Sequence, residues 1–290
     1  MAKRERMREH ILSENTSTHE TESTRSLLIG VGRAFGGALI FAMPMLMTME
    51  MWSLGFSLDP WRIAALLIVT LPLLLGLSRF GGFRPTTRLR DDIADVFVAV
   101  VVAAFASGAS LFLFGLLEFG MSPREIMGKI AVQLVPASIG AMLGRSQLGG
   151  RTEATEVQNQ NPSYWSELFI MGVGALFLSL NVAPTEEMVL IAYKMSVWHQ
   201  VTMVVLSLVL MHAFVYTLDF RGGTSLEGKS TLGTFVRFTF GGYAVVLLVS
   251  LGTLWLFGRT DGTSLAAIIS STVVLAFPGA IGAAAARLVL

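Results

Sequence analysis

IADVFVAVVVAAFASGASLFLFGLLEF, residues 93–119, decides the fold class. Between Asp95 and Glu118 it holds no charged residue. A helix needs about 20 mostly apolar residues to cross the hydrocarbon core of a bilayer, and this run is long enough. A barrel strand would alternate apolar and polar residues over about ten positions, which this run does not do. Lipid offers no partner to a free backbone N–H or C=O, so such a run folds as a helix. Runs of the same character cover 27–52, 61–80, 126–144, 165–189, 197–218, 234–257 and 265–289. The run over 126–144 is short and carries Lys129 near its start.

The whole composition agrees. Of 290 residues, 53% are hydrophobic and 14% charged, against about 25% charged in a soluble domain. That excludes a soluble globular protein and a disordered one. A net charge of +1 leaves no basic face for nucleic acid. With no cysteine there is no disulfide, thiol nucleophile or thiolate metal site. The expected architecture is all-α: a polytopic membrane protein of about eight transmembrane helices, with the lipid bilayer as its first partner.

Positive charge orients these helices. The side of the N-terminal tail holds 16 of the 21 Lys and Arg residues. The other side holds Arg62, Arg124, Lys129, Lys194 and Arg259. The richer side is expected in the cytoplasm, with both termini there. Residues 1–25 are polar and lack the apolar centre of a cleavable signal, so they read as a cytoplasmic tail. Trp52, Trp61, Trp198 and Trp255 fall at predicted outer ends, where indoles favour the interface.

An internal repeat organises the chain. A shift of 137 residues carries Thr48 onto Thr185, Glu50 onto Glu187, Trp61 onto Trp198 and Phe83-Arg84 onto Phe220-Arg221. Later the shift is 142, carrying Pro136 onto Pro278 and Arg145 onto Arg287. The expected layout is a first four-helix repeat at 26–145, a cytoplasmic linker at 146–163 and a second four-helix repeat at 164–290. Four spans is an even number, so the repeats run parallel, related by an axis along the membrane normal.

Three segments carry a resemblance: VGRAFGGALIFAMPMLMTMEMW (31–52), SLNVAPTEEM (179–188) and FPGAIGAAAAR (277–287). Through them the chain resembles an uncharacterised family of bacterial integral membrane proteins. The resemblance implies a multispan protein of the bacterial inner membrane and nothing about mechanism.

A charge at the bilayer centre costs roughly 3 kcal/mol, so charges within apolar runs are where function is sought. Glu50 lies late in the first run, Glu186 and Glu187 late in the fifth. Each follows a helix breaker, Pro44 or Pro184, which frees the carbonyl four residues back, at Ile40 or Leu180. Asn181 adds an amide oxygen. Carboxylate, amide and carbonyl oxygens form the ligand set that hard cations prefer, and broken helices suit transporter sites. A cation or proton site is therefore expected at Glu50, Glu187, Glu186 and Asn181, between the two repeats. Glu186 and Glu187 point about 100° apart on a helix, so only one faces the site. The metal, if the cation is one, stays unspecified. A rival expectation is a non-catalytic scaffold or assembly factor with peripheral glutamates.

Other features read as structure. Met43, Met45, Met47, Met49 and Met51 have period two, which no single helical face collects, so they pack rather than bind copper. His212 reads as a packing histidine, and Asp91, Asp92 and Asp95 as first-turn charges favoured by the helix dipole. No HExxH, Gly-x-Ser-x-Gly or Walker loop is present. No enzymatic activity, catalytic residue or cofactor is expected. An assembly of identical copies is compatible with this reading.

Overall fold

The computed structural model describes residue 25 and residues 28–80, 89–147, 163–219 and 235–289. The polar tail, the connector and the Phe83-Arg84 and Phe220-Arg221 pair lie outside the described residues, apart from a few residues at the edges of the tail and connector. Among the described residues there is no strand, and eight helices are long and apolar enough to cross a membrane. In the first half these are α1 (Leu28–Leu46), α3 (Pro60–Phe80), α4 (Leu89–Leu113) and α5 (Pro123–Gln147). A short helix, α2 (Met49–Ser57), follows α1. The second half holds α6 (Tyr164–Val182), short α7 (Glu186–Lys194), α8 (Val197–Asp219), α9 (Gly241–Leu256) and α10 (Leu265–Val289). A π-helical turn, Phe235–Phe240, leads into α9.

The short helices correct the expected spans 27–52 and 165–189. The first run stops at Leu46 and the fifth at Val182, each at a sharp turn. Thr48 and Thr185 make these turns. Each threonine donates its hydroxyl to the carbonyl three residues back, Thr48 to Met45 at 2.7 Å and Thr185 to Val182 at 2.8 Å. Each backbone amide donates to the same carbonyl at 3.1 Å. Trp52 covers the end of α1, its indole N–H donating to the Leu46 carbonyl at 2.8 Å. Such partners are what a helix terminus needs, because its last carbonyls have none within the helix. Glu50, Glu186 and Glu187 consequently lie on α2 and α7, beyond the membrane-spanning helices.

Further details recur between the halves. Thr70 donates to Leu66 within α3, and Ser207 donates to Met203 within α8. The ends of α4 and α9 close alike, with Gly115 at φ 69° and Gly258 at φ 72°. In each, the glycine amide bonds the carbonyl three residues back and the next amide bonds the one five back. That is the Schellman arrangement, whose left-handed residue is easiest for glycine. Close crossings match too. A Cβ on Gly37 would overlap the Gly140 carbonyl, and one on Gly174 would overlap the Gly282 carbonyl. Backbones this close let small residues replace bulk as the packing device.

Helix α5 is the hub. Its spanning window is 72% buried, whereas that of α8 is 11% buried and faces outward. α5 packs against α2, α3 and α4, and α10 packs against α6, α7, α8 and α9. The halves meet where α3 touches α6 and α9, where α5 touches α6, and where the Phe41 and Phe177 rings lie 4.4 Å apart. All the breaks and turns after α1, α4, α6 and α9 gather on one side, here called the far face. The chain enters α1 and leaves α10 on the other.

Candidate functional site

The far face holds a cavity of about 320 Å³ at the junction of the halves. The first half contributes Glu50, Ser53 and Ser57 of α2, then Asp59 and Arg62 at the start of α3. The second half contributes Glu186 of α7 and Gly258, Arg259 and Asp261 of the turn after α9. Leu54, Leu58 and Phe257 form its apolar floor.

Glu50 reaches across the junction. Its Oε1 accepts from the Glu186 backbone N–H at 3.3 Å. That amide belongs to the first turn of α7, one of the donors with no partner inside the helix. The positive end of the helix dipole favours a carboxylate there. Glu50 is thus held by the other half of the chain.

Arg62 ties the halves a second time. Only 7% of the residue is exposed. Its Nη2 donates to both Asp261 carboxylate oxygens, at 2.8 and 2.6 Å, and Nη1 donates to the Trp255 carbonyl at 2.9 Å. The guanidinium also lies 5.2 Å from the Trp61 ring centre and 5.9 Å from that of Trp255. A weakly hydrated planar cation suits such aromatic walls. Arg259 takes another role, donating from Nη2 to the Pro184 carbonyl in the turn before α7.

Of the residues expected from sequence, Glu50 and Glu186 come together on the cavity. Glu187 is exposed one position along α7 and does not line it. Asn181 lies before the break; its amide donates to the Phe177 carbonyl at 2.6 Å, and its Oδ1 is buried without a partner. Pro44 lies inside α1, which runs on to Leu46, while Pro184 sits within the turn and is buried. Among the described residues, no group of three or more His, Asp or Glu side chains converges as a metal site would. Met45 and Met51 are buried while Met47 and Met49 are exposed, so the methionine run does not converge either.

Arg62, Arg259, Asp59 and Asp261 were not singled out from sequence. The available signal was their sign: Arg62 and Arg259 are two of the five positive residues on the poorer side. Elsewhere, His212 Nδ1 lies 3.4 Å from the Thr239 hydroxyl. Asp92, 1% exposed, accepts from the Ser78 hydroxyl at 3.0 Å. Arg287 and Glu167 pair at 2.8 Å on the side opposite the cavity.

Residues 30–290 match the family described as "Putative integral membrane protein (DUF2391)", and the chain belongs to that family. No curated protein and no solved structure matches it.

Proposed function

We propose that the protein is a non-catalytic transporter, passive or secondary, of a small cation or protons, and that the far-face cavity is its outward vestibule. Two four-helix units, copied from one ancestor, would form its moving parts. The bacterial inner membrane, with both termini in the cytoplasm, is the setting that the charge distribution favours.

One observation carries this. A cavity at the junction of the halves is lined by an acidic side chain from each, Glu50 and Glu186, on matching short helices beyond matching helix breaks. Rocking of one unit against the other would open or close a site built in this way. Among the described residues no three acidic or histidine side chains group as a metal site would. That suits protons or an organic cation better than a dehydrated divalent metal, which takes six to eight close oxygens.

Flux in proteoliposomes tests it. Purified protein is reconstituted and assayed for uptake of protons, alkali cations and small organic ammonium ions. Flux above that of protein-free liposomes is expected for at least one of them. Glu50→Gln should lower it at least about tenfold, the equivalent of about 1.4 kcal/mol at the site. Glu187→Gln, on the exposed side of α7, should leave it within about twofold. Flux equal to empty liposomes across the panel, or an unaffected Glu50→Gln variant, overturns the proposal.

A further inference from the structure

We infer that the cavity takes a small zwitterion, a short molecule with an ammonium group at one end and an anionic group at the other. This rests on the cavity being the transport site and names the ammonium-bearing solute class that it would admit.

The charges on the cavity wall are partly unspent. Asp261 is committed to Arg62. Among the described residues, Glu50, Asp59 and Glu186 have no basic side chain within ion-pair distance, and Arg259 has no acidic one. Arg259 and Arg62 each keep a buried Nε–H that no protein atom accepts. Arg259 lines the cavity without a counter-charge, which a ligand's anionic group would supply. A bare cation would satisfy the carboxylates and leave Arg259 without a counter-charge. An anion alone would do the reverse.

The two poles are close. Arg259 holds the Pro184 carbonyl, and Glu50 takes the amide of Glu186, two residues further on. Adjacent Cα atoms are 3.8 Å apart, so the guanidinium and the Glu50 carboxylate lie within roughly 10 Å. A β- or γ-amino acid bridges such a gap. A volume of about 320 Å³ admits a molecule of that size. A phosphoethanolamine lipid headgroup shares the chemistry, and its source is separable by experiment.

The test is calorimetric titration of the purified full-length chain with γ-aminobutyrate, n-butylamine and butyrate, in lipid-free maltoside micelles. The zwitterion should bind at least tenfold more tightly than either single-charge analogue. Glu50→Gln and Arg259→Ala should each weaken it at least tenfold, and Arg259→Lys, which keeps the charge, should recover part of the loss. Arg259→Ala should weaken butylamine far less than γ-aminobutyrate, a contrast that a misfolded variant would not give. Repeating the titration in nanodiscs with and without phosphatidylethanolamine separates the sources. Competition by that lipid assigns the site to a headgroup, and its absence to a free solute; both support a zwitterion. Butylamine binding as tightly as γ-aminobutyrate, or Arg259→Ala binding it like the wild type, overturns the inference. Cation flux that persists without zwitterion binding leaves the transport proposal standing. Binding without flux of any species removes the transport proposal.

Discussion

Replacing Arg62 with alanine is expected to destabilise the protein by about 3 kcal/mol. The guanidinium is buried between two tryptophan rings and hydrogen-bonds α3 to the last turn of α9 and to the loop after it. Its loss leaves the Trp255 carbonyl with the Gly258 amide alone, frees Asp261 and opens a gap between Trp61 and Trp255, whose centres are 5.3 Å apart. Asp261 is 57% exposed and rehydrates easily, which keeps the cost at the lower end for a broken buried pair. Arg62→Lys should recover less than half, since an ammonium cannot fill the planar slot or serve both acceptors. Denaturant unfolding in detergent measures both. A loss below about 1 kcal/mol for Arg62→Ala would mean that the halves are held together elsewhere.

A second large effect is expected at Lys129. Its side chain is 6% exposed, and its ammonium pairs with Glu125 at 2.8 Å and donates to the Leu116 carbonyl at 3.1 Å. It thereby fastens the turn after α4 to the first turns of α5. Glu125→Ala leaves a buried charge with one carbonyl and the weakly accepting Met121 sulfur, and should cost about 2–3 kcal/mol. Lys129→Met removes the charge, keeps the volume and should be nearly neutral, because desolvating an ion pair offsets most of its attraction. Lys129→Met combined with Glu125→Ala should restore most of the stability that Glu125→Ala loses. Equal losses for the two single variants would contradict this account of the pair.

The membrane-spanning helices were legible because apolar length is nearly a sufficient condition for crossing a bilayer. Their breaks were not. Met47 to Trp52 is as apolar as the helix before it, apart from Thr48 and Glu50, so hydropathy runs through the turn. Pro44 pointed to a break, but the chain stays helical to Leu46 and turns only at Thr48. In the second half the proline lies in the turn itself. The two breaks therefore carry different sequence marks.

At the site, Glu50 and Glu186 were legible as acids beside helix breaks. Their geometry was not, because a shift of 137 residues pairs Glu50 with Glu187. The cavity departs from that pairing, for Glu50 docks on the first turn of α7 and meets Glu186, leaving Glu187 turned outward. Arg62 and Asp261 are 199 residues apart, beyond any local pattern. Arg259 finds its acceptor 75 residues back, at a proline carbonyl that no side-chain motif announces.

The most direct test uses the absence of cysteine from the chain. Ser53→Cys places one thiol on the exposed cavity wall, in a position that neither carries a charge nor bridges the halves. Treatment of proteoliposomes with a small membrane-impermeant thiol reagent should then stop flux through this variant and leave the cysteine-free parent unaffected. Full labelling of Cys at that position with undiminished flux would contradict the assignment of the cavity as the path.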